Sequence, residues 1–506
     1  MSSTDVPPKL YAAQEPIFPK KVTGTFRNLK WVIMIVTLGI YYITPWIRWD
    51  RGPNLPDQAV LVDMAGRRFF FFWIEIWPHE FYFVAGLLIM AGLGLFLFTS
   101  ALGRVWCGYT CPQTVWTDLF YTVERWIEGD RNARLRLWKS KWDGRKWRLR
   151  ITKWIVWLLI AVATGGAWVF YFADAPTLLV DLVTGQAAFV AYATVGLLTA
   201  TTFLFGGFAR EQICIYACPW PRIQGAMMDE HSITVAYRDW RGEPRGKGKN
   251  RRVAAEKAIA ESRLAGPLIT GQEPGATSTA EPEVTVLGDC IDCNACVNVC
   301  PMGIDIRDGQ QMECITCALC IDACDEIMDR IGAERGLIDY LALTDEDHER
   351  AGNKKIPIMR HILRPRTLIY TALWSAIGIG LVVALFVRSE IDVTVAAVRN
   401  PQFVTLSDGS IRNTYDVRIR NMSGDDAVFR IGLTSEEILR VDLEGSQDLM
   451  VEVPADETLL QRVYVIARAD DPAASAERTD LRFWVEEFES NERAFQSQTF
   501  FGQAAQ

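Results

Sequence analysis

Eight cysteines between Cys290 and Cys324 have the types and spacing for metal chemistry. They read Cys-Ile-Asp-Cys-Asn-Ala-Cys-Val-Asn-Val-Cys-Pro and, after a short spacer, Cys-Ile-Thr-Cys-Ala-Leu-Cys-Ile-Asp-Ala-Cys. This is C-x2-C-x2-C-x3-C written twice, the spacing of iron–sulfur clusters. The short gaps let one loop wrap three corners of a cubane. In two-cluster ferredoxins the fourth cysteine of each run serves the other cluster. That rule assigns Cys290, Cys293, Cys296 and Cys324 to one [4Fe–4S] centre. It assigns Cys314, Cys317, Cys320 and Cys300 to the second. Four-cysteine zinc sites also use C-x2-C pairs, but the repeated x2-x2-x3 pattern favours clusters. A disulfide framework is disfavoured if the block faces a reducing compartment. The two copies are not equivalent, because Pro301 follows Cys300 whereas Asp325 follows Cys324.

The other four of the twelve cysteines form a second constellation. Gly103-Arg-Val-Trp-Cys107-Gly-Tyr-Thr-Cys111-Pro112 is matched by Arg210-Glu-Gln-Ile-Cys214-Ile-Tyr-Ala-Cys218-Pro219. Both are C-x-Y-x-C-P, and both follow an apolar run, as a duplicated two-helix unit would. If each stretch is helical, cysteines four apart share one face. Two such pairs facing each other bring four soft thiolates together, a set that suits Cu(I), zinc or iron–sulfur centres. The plainer alternative is four small buried residues packing a helix elbow that proline breaks. Recurrence at matching positions favours chemistry. Other ligand candidates are weaker. Of four histidines, His79 beside Pro78 and Glu80 reads as an interfacial polar residue, and Met227-Met228 as packing. No phosphate-binding glycine loop is evident.

Half of the 506 residues are hydrophobic, and the apolar residues fall into long runs. Spans are expected near 31–47, 81–98, 154–172 and 187–208, within a transmembrane domain over 1–240, with a fifth helix at 367–388. The aromatic stretch Phe69–Trp77 is expected at the membrane surface. No signal peptide is expected, since the first run begins late and lacks a cleavage pattern. The segment 103–153 is dense in Arg and Lys, and the loop 173–185 has neither. The positive-inside rule then puts 103–153, the N-terminus and the cysteine block in the cytoplasm, and 388–506 outside. Arg51, Arg67 and Arg68 in the first outer loop run against this scheme. Basic residues around Trp138, Trp142 and Trp147 read as a headgroup-facing segment, not a nucleic-acid site.

Residues 241–288 are rich in Gly, Pro, Ala and charge and read as a flexible linker. Residues 289–366 then form a bacterial-type two-[4Fe–4S] ferredoxin domain. Alternation in Tyr415-Asp-Val-Arg-Ile-Arg, Leu439-Arg-Val-Asp-Leu and Val463-Tyr-Val-Ile predicts about seven short strands in 389–506, an immunoglobulin-like sandwich. The fold class is thus a five-helix transmembrane bundle carrying a cytoplasmic ferredoxin domain and a periplasmic β-sandwich.

Several stretches point to a family: 103–116, Arg-Gly-Glu-Pro-Arg-Gly (241–246), Gly-Asp-Cys-Ile-Asp-Cys (288–293), Cys-Pro-Met-Gly-Ile-Asp-Ile-Arg (300–307) and Cys-Ile-Asp-Ala-Cys-Asp-Glu-Ile-Met-Asp (320–329). They resemble the bacterial cytochrome c oxidase accessory proteins of the CcoG family, also called FixG or RdxA. The resemblance covers nearly the whole chain, with 253–285 the least similar. It implies an inner-membrane protein that reduces Cu(II) to Cu(I) for assembly of a cbb-type oxidase. Two [4Fe–4S] clusters would take electrons from a cytoplasmic donor, and Cys107, Cys111, Cys214 and Cys218 would hold copper or the last relay. Implied partners are membrane lipid, copper-trafficking or oxidase assembly proteins and, compatibly, a second copy of the chain, with no nucleic acid. The C-x3-C-P elements also resemble membrane polyferredoxins that exchange electrons with the quinone pool. A third alternative is an assembly scaffold whose clusters act as sensors.

Overall fold

A computed structural model describes residues 16–52, 55–246, 288–388, 391–422, 425–446, 448–455 and 457–505. The chain divides into two compact units. One contains residues 1–47, 60–70 and 75–378, and the other 48–59, 71–74 and 379–506.

Among the described residues, five helices are long and apolar enough to cross a membrane: Thr25–Trp46, Pro78–Leu102, Gly144–Val169, Phe189–Ala209 and Pro365–Val387. The third begins ten residues before the expected span at 154, on a turn holding Arg145, Lys146, Arg148, Arg150 and Lys153. Hydropathy misses this turn because its charges are counted as exposed. Lys146, Arg150 and Lys153 are in fact buried. Lys153 Nζ lies 2.9 Å from Glu128 and 3.3 Å from Glu124, and Arg150 lies 3.3 Å from Glu128. Both carboxylates come from the amphipathic helix Pro112–Glu128. The basic segment therefore divides. Arg136, Lys139 and Lys141 are exposed, whereas Arg134, Arg150 and Lys153 are buried against carboxylates and Lys146 is buried against the carbonyls of Trp138 and Ser140.

The first helix likewise starts early, at Thr25. Gly24 at its N-cap has no side chain to cap with. Asp322 does so from a distant helix, accepting the backbone N–H of Arg27 at 2.7 Å and of Phe26 at 3.2 Å. These are orphan donors of a first helical turn. A Cβ at Gly24 would stand 2.3 Å from the Asp322 carboxyl carbon, so the cap requires glycine there. Arg27 itself pairs with Asp118 at 2.8 Å, both buried. Between the first two of these helices, short strands run over Val60–Asp63, Arg68–Phe71 and Ile74–Ile76.

The cysteine-rich domain closes on a two-stranded antiparallel sheet, Thr234–Tyr237 against Ile338–Leu341. Its first strand lies within the residues read as transmembrane domain. Most of the expected linker, 247–287, lies outside the described residues. Its described flanks meet: Arg241 pairs with Asp289 at 2.6 Å, and the Asp289 N–H donates to the Arg241 carbonyl.

The second unit carries the expected immunoglobulin-like sandwich. One sheet runs Arg440–Leu443, Thr458–Ala467, Ile411–Asn421, Ile391–Ala397, with Val404–Thr405 also on Ile411–Asn421. The other runs Met450–Val453, Ala427–Ser435, Arg478–Glu487, Arg493–Phe501. Alternate residues of Ile411–Asn421 point inward, as the period of two demands. Tyr415 and Phe483 meet edge to face at 5.0 Å between the sheets, and the Tyr415 hydroxyl donates to the Thr499 carbonyl at 2.8 Å. Phe483→Ala, emptying this fully buried site, is expected to cost about 3–5 kcal/mol. Limited proteolysis of the sandwich in a urea series reads the loss, and an unchanged midpoint would contradict this account of the core.

Candidate metal centres and the thiol quartet

The two cysteine loops have the same backbone signature. In the first, the residues flanking Cys293, Asp292 and Asn294, have φ of 49° and 56°. In the second, the residues flanking Cys317, Thr316 and Ala318, have φ of 55° and 58°. Four non-glycine residues in the left-handed region at matching positions are strained unless their surroundings fix them. In the first loop the fixing group is Arg307. Its guanidinium donates to Asp292 at 2.7 Å, Asn294 at 2.6 Å and Asp305 at 2.6 Å. Each loop then enters a helix, Ala295–Val299 or Leu319–Ile331, which carries the chain to the fourth cysteine.

The thiols group across the loops. Cys324 is pushed up to about 12 by burial and by the thiols of Cys296, Cys293 and Cys290. Cys300 is pushed up to about 12 by burial, then by Cys317 and Cys314. Cys320 is raised by burial, Cys317, Cys314 and Cys300, and also by Cys296 of the other set. Left bare, Cys324, Cys300 and Cys320 keep their protons, and a bound metal is what would displace them. Four thiolates on one zinc at about 2.3 Å crowd within about 4 Å of each other. No three His, Cys, Asp or Glu side chains among the described residues form such a single-ion site. A cubane instead takes each cysteine on a different iron, so the two cradles fit clusters better than zinc.

The membrane-proximal cysteines also meet. The repeat predicted from sequence is visible in the backbone. Gly103 (φ 61°, ψ −129°) and Arg210 (φ 41°, ψ −114°) turn the chain alike at the start of each copy. Cys111 (φ −56°, ψ 128°) and Cys218 (φ −79°, ψ 124°) are alike at its end. Neither pair lies on one continuous helix, the condition on which a shared helical face rested. The helical turns end at Tyr109 and Ala217, and Cys111 and Cys218 are extended residues before a proline. The thiols converge all the same. Cys107 is raised to about 12 by burial and then by Cys111, with Arg104 opposing and Cys214 and Cys218 adding. Cys214 is raised to about 12 by burial, Cys111, Cys218 and Glu211. Cys107 Sγ donates to Gln224 Oε1 at 3.0 Å. Gln224 is fully buried and follows the second copy, so it ties the two copies together.

The first copy lies directly on the second cysteine loop. A Cβ at Gly108 would stand 2.6 Å from the Ile315 carbonyl oxygen and 3.1 Å from Cys317 N and Cα. The Tyr109 hydroxyl donates to the Cys317 carbonyl at 3.2 Å. The Arg104 guanidinium reaches the carbonyls of Met312 and, at 3.3 Å, Cys314. Cys107, Cys214 and Cys300 pack against one core containing Cys317 and Leu319. The second copy is held from behind. Arg210 pairs with Glu124, which also takes Arg134 at 2.6 Å. Burial works to raise Glu124, but Arg210, Lys153 and Arg134 outweigh it and hold it ionised. Sequence reading missed Arg104, Gly108, Tyr109, Gln224, Arg307 and Asp322. Tyr109 and Gly108 lie inside a motif already singled out, whereas the partners of Gln224 and Asp322 are far away in the chain.

Helices that cross a membrane, joined to paired cysteine cradles, define a membrane-bound dicluster ferredoxin. The family models agree. Residues 209–268 and 271–342 match a 4Fe-4S dicluster domain, 83–132 a 4Fe-4S binding domain, and 381–503 the IG-like fold at the C-terminus of FixG. Protein RdxB of Cereibacter sphaeroides is 66% identical over 97% of this chain and 97% of its own. Protein RdxA of the same organism is 60% identical over 94% and 95%, and nitrogen fixation protein FixG of Rhizobium meliloti 55% over 82% and 78%. The chain belongs to the FixG/RdxA family.

Arg307→Ala frees both left-handed residues of the first loop. It is expected to lower bound iron by about four per chain, one cluster's complement, with the second loop unaffected. Iron analysis after anaerobic purification checks this, and a full complement in the variant would refute the clamp.

Proposed function

We propose that electrons pass through this chain in a fixed order: from the set Cys290, Cys293, Cys296, Cys324, to the set Cys300, Cys314, Cys317, Cys320, and then to Cys107, Cys111, Cys214 and Cys218. When bound, the two [4Fe–4S] clusters supply one-electron steps. The observation that carries the reading is the seating of Gly108 and Tyr109 on the Cys317 backbone. This contact with the second loop supports the quartet as the next stop after the second set. The quartet then serves Cu(II) as substrate. One electron gives Cu(I), whose softness suits thiolate ligands. The raised thiols of Cys107 and Cys214 give up their protons only to a metal that binds them well. The resemblance of the 103–116, 241–246 and 288–329 motifs to oxidase accessory proteins, and the positive-inside rule, support an inner-membrane protein with the clusters on the cytoplasmic side. The electron donor is then cytoplasmic, and the copper acceptor an oxidase assembly or copper-trafficking partner.

A second reading has its own support. The 4Fe-4S binding domain matched over 83–132 includes Cys107 and Cys111, and the quartet is not a single-ion site. The quartet would then hold a third iron–sulfur centre and pass electrons onward. Replacing all four cysteines by serine separates the readings. If copper is the substrate there, bound iron stays at about eight per chain and Cu(II) no longer reoxidises the dithionite-reduced protein. A fall of about four irons establishes the third centre instead. Reoxidation by Cu(II) that persists in the variant would overturn the copper reading. The unlike surroundings of the two sets also predict two separate one-electron waves in a redox titration, checked by visible absorbance.

A further inference from the structure

Five arginines are buried among the described residues: Arg27, Arg104, Arg134, Arg150 and Arg238. Four of them meet a carboxylate. Arg27 pairs with Asp118 at 2.8 Å, Arg134 with Glu124 at 2.6 Å, Arg150 with Glu128 at 3.3 Å and Arg238 with Glu349 at 2.6 Å. Arg104 has no such partner, although it is only 4% exposed. Its guanidinium donates to neutral acceptors: the carbonyls of Met312, Cys314 and, at 2.5 Å, Pro221, and the Met312 thioether. Glu313 acts on it from beyond ion-pair distance. Carbonyl dipoles solvate a cation but do not cancel its charge. A buried charge without a counter-ion is costly, so an anion is expected beside it.

The acceptors show where that anion belongs. Met312 and Cys314 lie on the second cysteine loop, and Pro221 follows the second C-x-Y-x-C-P copy. Arg104 itself stands three residues before Cys107 in the first copy. Its charge thus sits at the junction of the second cysteine set and the thiol quartet. A cluster held by four thiolates is a net anion, and net charge is one of the factors that set its potential. A fixed positive charge beside it favours the reduced form, most strongly where water does not screen it. The arginines beside the first set are neutralised instead. Arg307 pairs with Asp292 at 2.7 Å and Asp305 at 2.6 Å, and Arg241 with Asp289 at 2.6 Å. A further carboxylate, Asp325, directly follows Cys324 and accepts the Gly336 N–H at 3.0 Å. Asp322 is two residues from Cys320 and two from Cys324, so it weighs on both sets.

We propose that Arg104 sets the reduction potential of the second cysteine set above that of the first, its uncompensated charge stabilising the electron added at Cys300, Cys314, Cys317 and Cys320. The transfer is of one electron: the centre in the first set is oxidised, that in the second is reduced, and no bond or proton changes place. The step from the first set to the second then runs downhill. That use of the difference rests on the electron order proposed above, whereas the charge effect itself does not depend on copper.

The test is a redox titration of the full chain, purified anaerobically in detergent and followed without copper by visible absorbance and electron paramagnetic resonance. Arg104→Gln should lower the higher-potential wave by about tenfold or more in its reduction equilibrium, about 59 mV for one electron. The lower wave and the bound iron should stay as they are. Arg104→Lys keeps the charge and loses the fork of donors, so its higher wave should stay close to the native position. An unmoved higher wave in the glutamine variant, an equal fall of both waves, or equal falls in the glutamine and lysine variants would overturn the proposal. Replacing Cys290 and Cys293 by alanine tests the order with Arg104 in place, even if Arg104→Gln sheds iron. It removes the first centre, and the wave that survives should be the higher one. Survival of the lower wave overturns the assignment. Because no copper enters these titrations, a failure of Cu(II) reduction sinks the copper reading alone, and a misplaced wave sinks only the role of Arg104.

Discussion

The missing side chain at Gly108 is the constraint on which the proposed electron path depends. With no Cβ, the backbone of the first C-x-Y-x-C-P element lies against Ile315 and Cys317. Any larger residue must displace a carbonyl oxygen and the chain around a cluster-type cysteine, neither of which can yield without disturbing the loop. The hydroxyl of Tyr109 and the guanidinium of Arg104 then fix the orientation through carbonyls of the same loop. A redox domain joined to a membrane domain by a loop would be free to drift. Here the contact is made by the residues between the thiols themselves, so separation between donor and acceptor is set by backbone packing.

A second seam holds the same two regions together elsewhere. Asp322 caps the first span, and Asp322 is two residues before Cys324 on the helix Leu319–Ile331. A carboxylate at a helix N-terminus is favoured both as acceptor and by the helix dipole. One side chain thus serves a membrane helix and belongs to the element that carries a fourth cysteine. Behind the second C-x-Y-x-C-P copy, Glu124 gathers Arg134, Lys153 and Arg210. Buried ion sets add little net stability but are costly to break, which makes them good at fixing one geometry. They hold Arg210 in a left-handed conformation that a glycine fills in the first copy.

Periodicity and spacing carry much of this in the sequence. The eight-cysteine block, the repeated C-x3-C-P element, five apolar helices and the alternating strands of the C-terminal sandwich all depend on local pattern. What was illegible is non-local. Hydropathy placed the third span late because Lys146, Arg150 and Lys153 look like solvent-facing charges. Arg150 and Lys153 are buried against Glu124 and Glu128, more than twenty residues away, and Lys146 against the carbonyls of Trp138 and Ser140. Cys107 and Cys111 share a face only if one helix holds both, and the helical turn ends at Tyr109, so their convergence with Cys214 and Cys218 comes from tertiary packing. Gly108 could have been noticed, since it is the one motif position where the copies differ as sharply as glycine and isoleucine. Nothing in the sequence says that it meets Cys317.

That difference gives the duplicated unit its direction. A perfect repeat would present two equal faces to the cluster domain. Gly108 and Tyr109 are buried on the second cysteine loop, whereas their counterparts diverge: Ile215 packs on the edge of the same core and Tyr216 is 65% exposed. One copy has become the inner contact and the other faces outward, with Glu211 and Arg210 behind it. The four thiols lie between the two. A pseudosymmetric cradle therefore has one side fixed to the redox domain and one side open, the arrangement needed if electrons arrive from the first side and whatever receives them, or is reduced by them, is reached from the second.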